Sequence, residues 1–308
     1  MGANSTLSAG GAACTTGQNS PINIVDKTAA TKTAVYDATL GALQYAYPVK
    51  STYKVEMNEH TLEVKFDVTN ATTTPSSTAL SFGFNIAGTG WVPCTQLHFH
   101  SPSEHTINGV HYPLEMHIVN QPVNISGSTI AGLVPGGVIA ILFGYGPDNN
   151  ANTFVDSILN AAPSGLSFGQ YVTNAATNQY IAKNNSVEAV VTGGSLNLSS
   201  VVQAADPTTY YRYTGSLTTP GCSQAVQFNV LATPLEVSTT QVQKFLSLLA
   251  AAQGGISRGA DNRAIVPIQL TTVVKMSKAN IAIPVVSAAP RALAAVATLA
   301  AAIVALAL

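Results

Sequence analysis

The chain has 308 residues, a formal net charge of -1 and only 9% charged residues, with Ser, Thr, Asn, Ala and Gly abundant. No basic stripe exists to neutralise phosphates, which excludes nucleic acid as a partner. Its length allows a large core, and all-β domains run to about 200 to 250 residues as one unit, so one main domain is expected.

Residues 1–13 lack the basic start and apolar centre of a signal peptide and read as a disordered lead-in. Gly2 and Thr6 match a myristoylation pattern in letters only. From Gly17 the chain reads GQNSPINI, a turn and a short extended segment. Tyr53 to Val68 alternates apolar and polar residues and predicts one or two antiparallel strands, with His60 inside it. Strand pattern continues over Ala79 to Ile86 and Trp91 to Phe99, and the VIAILF run within Gly137 to Tyr145 reads as a fully buried strand. Helical spacing marks Phe154 to Ala161 and Ser238 to Ala252, the second opening on hydroxyl residues that can cap it. Tyr210 to Leu231 reads as two strands joined by the loop SLTTPG, and the pattern decays beyond Val274. The expected organisation is a domain over 14–274, a linker over 275–291 and an apolar tail over 292–308.

That tail carries no charge and suits a cleaved GPI-attachment signal, or else a retained anchor or a core helix of the domain. Membrane attachment at a cell surface, or secretion, is therefore expected, and a leader upstream of Met1 with it. Five Asn-x-Ser/Thr sequons, at Asn4, Asn70, Asn124, Asn184 and Asn197, agree with a secreted glycoprotein. Of the three cysteines, Cys14, Cys94 and Cys222, one pair and one leftover are expected outside a cell and three thiols inside one. Spacing leaves the pair open.

The chemistry concentrates in Gln96 to His117, QLHFHSPSEHTINGVHYPLEMH. Side chains two apart on a strand share a face, so His98 and His100 project together. A connector with Pro102, Asn108-Gly109 and Pro113 leads to a second predicted strand, Leu114 to Val119, on which Glu115 and His117 share a face. If the two strands pair, three imidazoles converge. Three neutral nitrogens hold Zn²⁺ and leave its fourth tetrahedral position open, the arrangement of a catalytic site. Gln96 and Glu115, each two residues from a candidate ligand on the same face, are placed to accept the other ring N–H and set its orientation.

This stretch, with SPINI at 20–24, NEHTLEVKFD at 58–67 and GSLTTPGC at 215–222, resembles the α-class carbonic anhydrases of the extracellular type. The resemblance spans roughly Cys14 to Val274 and implies a mainly β fold, a large and mostly antiparallel central sheet with a few peripheral helices. It implies reversible hydration of CO₂ to bicarbonate on Zn²⁺ held by His98, His100 and His117. The zinc-bound water would have its pKa brought toward neutrality; this family is itself the standard instance of that effect, so the value of about 7 is carried over, not predicted. Thr218 resembles the hydroxyl that orients the zinc-bound hydroxide and passes its own proton to a carboxylate, here Glu104, with Thr219 beside it. His60 resembles the proton shuttle and Asn58 the companion that orders its waters. Val119, Val138, Leu217 and Phe228 match the apolar CO₂ pocket, Phe228 standing where many members have Trp. Cys14 and Cys222 match the family's extracellular disulfide, which leaves Cys94 a buried free thiol.

The sequence departs from the family in lacking the aromatic-rich segment before SPI, in Gly221 for a common Pro, and in Asn120 where His is frequent. Two other readings compete. His98-x-His100 with Glu104 fits a cupin metal motif, which requires a distant histidine after a Pro-x-Gly-type strand that His117 lacks. A carbonic anhydrase-like domain serving as a surface binding or adhesion module would be expected to have lost zinc ligands, and this chain keeps all three.

Overall fold

A computed structural model of the chain describes residues 19–26, 34–58, 61–68, 76–122, 136–163, 171–174, 179–182, 187–218, 223–252 and 274–279. Strands dominate. The first half contains β1 (Asn23–Ile24), β2 (Ala34–Tyr36), β3 (Tyr45–Ala46), β4 (Lys50–Met57), β5 (Leu62–Lys65), β6 (Gly83–Ile86), β7 (Gly90–His100), β8 (Thr106–Ile107), β9 (Val110–His111) and β10 (Leu114–Asn120). The second half contains β11 (Gly137–Tyr145), α1 (Thr153–Ala161), β12 (Tyr171–Asn174), β13 (Gln179–Ala182), β14 (Val187–Leu196), α2 (Leu198–Ala204), β15 (Tyr210–Ser216), β16 (Gln224–Leu231), β17 (Leu235–Val237), α3 (Thr239–Ala252) and β18 (Val274–Met276).

The central sheet runs β14-β4-β5-β7-β10-β11-β16-β15-β18-β2, with β17, β3 and β6 attached at its margins. Its pairings are mainly antiparallel, as predicted, but β11 lies parallel to β16 and β17, and β18 parallel to β2. The sheet is therefore mixed. Parallel neighbours leave no local trace in sequence, because the strands they join are far apart in the chain.

Alternation sorts the two faces. Leu97, Phe99, Met116, Ile118, Ile139 and Ile141 point into a core that also receives α1, α2 and α3. The opposite face carries His98, His100 and His117 together with a second cluster of Val119, Val138, Ala140, Phe228 and Val230. β11 is buried on both faces, which is why its sequence reads as a continuous apolar run.

Local chemistry sets several boundaries. The Asn152 side chain accepts from the Phe154 and Val155 amides and starts α1, and Ser238 Oγ accepts from the Gln241 amide at the start of α3. Asn108 and Gly109, with φ of 53° and 81°, make the two-residue turn between β8 and β9. Several elements differ from the sequence reading, which does not predict β12, β13 or β14. The strand expected from Ala79 begins at Gly83, because the preceding residues bend. Helix α2, capped by Asn197, has seven residues, too few for helical periodicity to stand out. β18 continues to Met276, past the domain limit at 274, since Met276 is buried and the Ser277 hydroxyl accepts from the Tyr210 amide. Among the described residues no helix is long and apolar enough to cross a membrane; the tail at 292–308 lies outside them.

Candidate metal centre

The antiparallel pairing of β7 with β10 places His98 directly opposite His117 and His100 opposite Glu115. Pleating then puts all four side chains on one face. The three imidazole centroids lie 4.9 to 5.2 Å apart, and one nitrogen from each can be chosen so that all fall within 4.8 Å of one another.

Two of the rings are oriented by acceptors on their own strands. Gln96 Oε1 lies 2.7 Å from His98 Nδ1, and Glu115 Oε1 lies 2.7 Å from His117 Nε2. Both oxygens accept only, so those nitrogens carry the protons, and Nε2 of His98 and Nδ1 of His117 offer lone pairs. Burial, reinforced by the neighbouring His100 and His117 rings, holds His98 well below the ordinary histidine range and keeps it neutral. His117 moves the other way: burial opposes its charge, but Glu115 and then Glu104 outweigh it. The donor set of three imidazoles, two with a fixed tautomer, fits a borderline ion such as Zn²⁺. Glu104, buried at 1% exposure, has Oε2 3.5 Å from His100 Nε2 and 3.9 Å from His117 Nδ1.

Around this centre, Val119 pairs with Val138 and Val138 with Phe228 across three adjacent strands. They form an apolar row next to His117. The Phe228 ring lies 5.8 Å from that of His117 and stacks on Tyr213 at 5.3 Å and 10°. Leu217 packs partly buried against the same cluster. Thr218 follows it, half-buried, in a loop tied by the Leu217 amide donating to the Ser223 carbonyl at 2.9 Å. Thr219 and Cys222 lie outside the described residues, as do His60 and Cys14. Asn58, next to that His60 segment, accepts from the Thr61 amide at 2.9 Å and extends Nδ2 to within 3.4 Å of Glu63 Oε2. Cys94 is a buried free thiol, its pKa pushed up by burial.

Two residues at the site escaped the sequence reading. His105 Nδ1 lies 2.6 Å from Glu115 Oε1, its amide donates to Glu115 Oε2 at 2.8 Å, and its Nε2 lies 2.6 Å from the Tyr213 hydroxyl. Tyr213 in turn meets Ser20 Oγ, which accepts from the Ser216 amide. Gly215 permits this approach, because a Cβ there would sit 2.1 Å from Ser20 Oγ. A buried chain thus runs from His117 through Glu115, His105 and Tyr213 to the strand that leads into Thr218. His105, Glu115 and His117 also satisfy the distances of a metal cluster, but their atoms already bond to one another at 2.6 and 2.7 Å, so they form a hydrogen-bonded chain. Burial alone would raise the Glu115 carboxyl; the adjacent His105 and His117 hold it well below its ordinary range instead.

The second residue is Glu63, directly opposite His98 on β5 and hence on the same face. Burial, with Glu56 adding and Lys65 opposing, raises its carboxyl to about 7. A Glu in an alternating strand reads as a solvent-facing side chain, and only the register reveals otherwise. A raised acid pKa contributes stability that is present below the ordinary carboxyl range and lost as pH rises through 7. Glu63→Gln is expected to flatten this slope between pH 4.5 and 8 and to leave the metal-free protein about 2 kcal/mol more stable at pH 8. Urea unfolding across that range checks it, and parallel profiles for the two proteins would contradict it.

A mixed sheet that gathers three imidazoles on one face beside an apolar row presents a β-sheet site whose donors could hold a metal ion. The chain belongs to the eukaryotic-type, or α, carbonic anhydrase family, whose model matches residues 5–275. It is 31% identical over 233 residues to a carbonic anhydrase of Klebsiella pneumoniae, covering 75% of this chain and 73% of that one. It is 29% identical to carbonic anhydrase 4 of Mus musculus, covering 76% and 66%. Among solved structures, the α-carbonic anhydrase of Thermovibrio ammonificans in complex with sulfanilamide superposes with a TM-score of 0.56 at 26% identity, over 84% of this chain and 86% of that one. The Photobacterium profundum α-carbonic anhydrase has the same fold, with a TM-score of 0.57 at 23% identity, over 84% and 88%. The enzyme class is that of a carbonic anhydrase, and the substrate is the small molecule CO₂.

Proposed function

We propose that this protein hydrates CO₂ reversibly at a Zn²⁺ held by His98, His100 and His117. The observation that carries the reading is the convergence of these imidazoles on one sheet face, two of them oriented by Gln96 and Glu115. Zinc, when bound, supplies the Lewis acidity that makes a water nucleophilic near neutral pH. The remaining roles belong to the chain. Thr218 accepts the nucleophile's hydrogen and donates its own to Glu104, which selects the lone pair that faces CO₂. Val119, Val138, Leu217 and Phe228, with Thr219 at the margin, exclude water from the side where an apolar substrate sits. The test is stopped-flow CO₂ hydration by purified protein together with metal analysis. Zinc-loaded protein without activity overturns the proposal.

In the same reading His60 carries the product proton to buffer, with Asn58 ordering the intervening waters. It is supported by the family motif and by the imidazole's ordinary pKa near 6.5, suited to loading and unloading around neutrality. His60→Ala is expected to lower turnover roughly 10-fold or more in poorly buffering solution, with recovery on adding imidazole. Failure of imidazole to rescue assigns His60 a structural role.

A Cys14–Cys222 disulfide, processing of the 292–308 tail and a cell-surface location complete the proposal. They are supported by the family's cysteine positions and by the tail's composition. Intact mass of protein passed through a secretory pathway, alkylated without reduction, is expected to show one labelled thiol, Cys94, after denaturation and a shortened C-terminus. Three labelled thiols or a full-length tail contradict the respective parts.

A further inference from the structure

A groove of about 820 Å³, sharing no lining residue with the imidazole cluster, runs between the segment leading into β3, the start of β7, and α2 with the residues after it. Leu43, Leu198 and Val201 of the first core lie at this end of the fold. No lining residue is charged: the wall consists of Gln44, Tyr45, Trp91, Asn197, Gln203 and Thr208 with small or apolar neighbours, and burial raises the Tyr45 hydroxyl pKa further from neutrality. A phosphate, a carboxylate or a cation finds no counter-charge here.

The polar groups are mainly side-chain amides. Gln44 Oε1 accepts from Asn85 Nδ2 at 2.6 Å, Asn197 Oδ1 from the Ser200 amide at 3.0 Å, and Gln203 Oε1 from the Tyr45 hydroxyl at 3.4 Å. The Asn197 bond, from a backbone amide, fixes that side chain's oxygen, while Gln44 and Gln203, partnered by an amide and a hydroxyl, can present either end of the amide. The Tyr45 ring is itself held, stacked on Tyr47 at 5.3 Å and 23°, and Trp91 is half-buried in the opposite wall.

Side-chain amides that can donate or accept, two aromatic rings and no charge match an uncharged ligand with hydroxyls on its edges and C–H bonds on its faces. We propose that this groove binds a neutral oligosaccharide, its rings lying on Trp91 and Tyr45 and its hydroxyl groups hydrogen-bonded to the side-chain amides of Gln44 and Gln203. A proline-rich peptide also docks on aromatic walls, but it offers one carbonyl per residue along a line, whereas the amides here come from two elements, Gln44 before β3 and Asn197 with Gln203 from α2 and its cap. The site is independent of the metal centre.

Trp91 is the sole tryptophan, so its emission reports on this groove alone. The full chain is made in a bacterial host, which keeps the Asn197 sequon unmodified, and titrated with maltotriose, cellotriose, mannotriose and N-acetylchitotriose. A heparin trisaccharide and a polyproline peptide are run alongside. At least one neutral trisaccharide is expected to give a saturable emission change at millimolar concentration or below. The paired variant Gln44→Ala/Gln203→Ala is expected to weaken it at least tenfold while CO₂ hydration stays at the wild-type rate. The proposal is overturned if no neutral sugar saturates up to tens of millimolar. Saturation by only the charged sugar or the peptide, or an unchanged affinity in the variant, overturns it equally.

Discussion

His117→Ala is expected to abolish zinc retention and to reduce CO₂ hydration by more than the about 10²-fold that loss of an outer hydrogen-bond partner costs at such sites. His117 stands opposite His98 in the β7–β10 ladder, and its Nδ1 faces the other two rings while Glu115 holds its Nε2. Removing it leaves two nitrogens, too few for a tetrahedral ion that must also keep a position for water. The same substitution deprives the buried Glu115 of one of its two imidazole partners, so stability falls as well. Gln96→Ala separates these effects. It keeps all three ligands, releases only the tautomer of His98, and is expected to weaken zinc 10- to 100-fold with little loss of fold stability. Zinc content after dialysis against a graded chelator series, read beside stopped-flow rates, checks both. Stoichiometric zinc and wild-type rates in His117→Ala would remove this residue from the site.

His105→Phe is expected to destabilise the metal-free protein by about 3 to 5 kcal/mol, the cost of leaving a buried charge without a principal partner. Glu115 is fully buried and ionised, held so by His105 and His117. The substitution removes the Nδ1 bond at 2.6 Å and leaves the Tyr213 hydroxyl, which burial keeps protonated, with Ser20 Oγ as its remaining hydrogen-bond partner among the described residues. Tyr213→Phe, which deletes the far end of the chain only, costs about 1 kcal/mol. The sign of the pH dependence follows from Glu115. Its folded pKa is depressed, so its contribution is present above the ordinary carboxyl range and is lost as acid titrates through the lowered value. His105→Phe should lose part of that acid dependence. Urea unfolding of both variants from pH 3 to 8 reads these outcomes, and a His105→Phe curve within about 0.5 kcal/mol of wild type would deny the chain its structural role.

The two buried carboxylates at this centre behave oppositely because of their neighbours. Glu115 lies between two imidazoles and stays charged. Glu63 faces the same cleft, with Lys65 4.0 Å away and bonded to Glu56 instead, and is pushed up to about 7. Burial acts on both, so the difference rests on the two imidazoles bonded to Glu115, where Glu63 has a neutral amide and a more distant ammonium.

Residue order alone determined which side chains share a face. Period-two alternation is a property of a single strand, so His98 with His100, Glu115 with His117, and Gln96 beside its ligand were legible before any partner strand was known. The continuous apolar run of β11 and the capped start of α3 were legible for the same reason, each being a local pattern. Pairing across strands is not local. That His117 meets His98, that Glu63 stands opposite the same residue, and that Phe228 sits parallel to Val138 were decided only when the sheet assembled. His105 shows the limit most directly. It lies in a connector, off the strand periodicity that marked the other three imidazoles, and only the closed fold brings Glu115, ten residues along, and Tyr213, more than a hundred along, to its two ring nitrogens. A strand's own pattern states its face, and the register of its neighbours, which hydrophobic burial and turn geometry choose together, states what that face will touch.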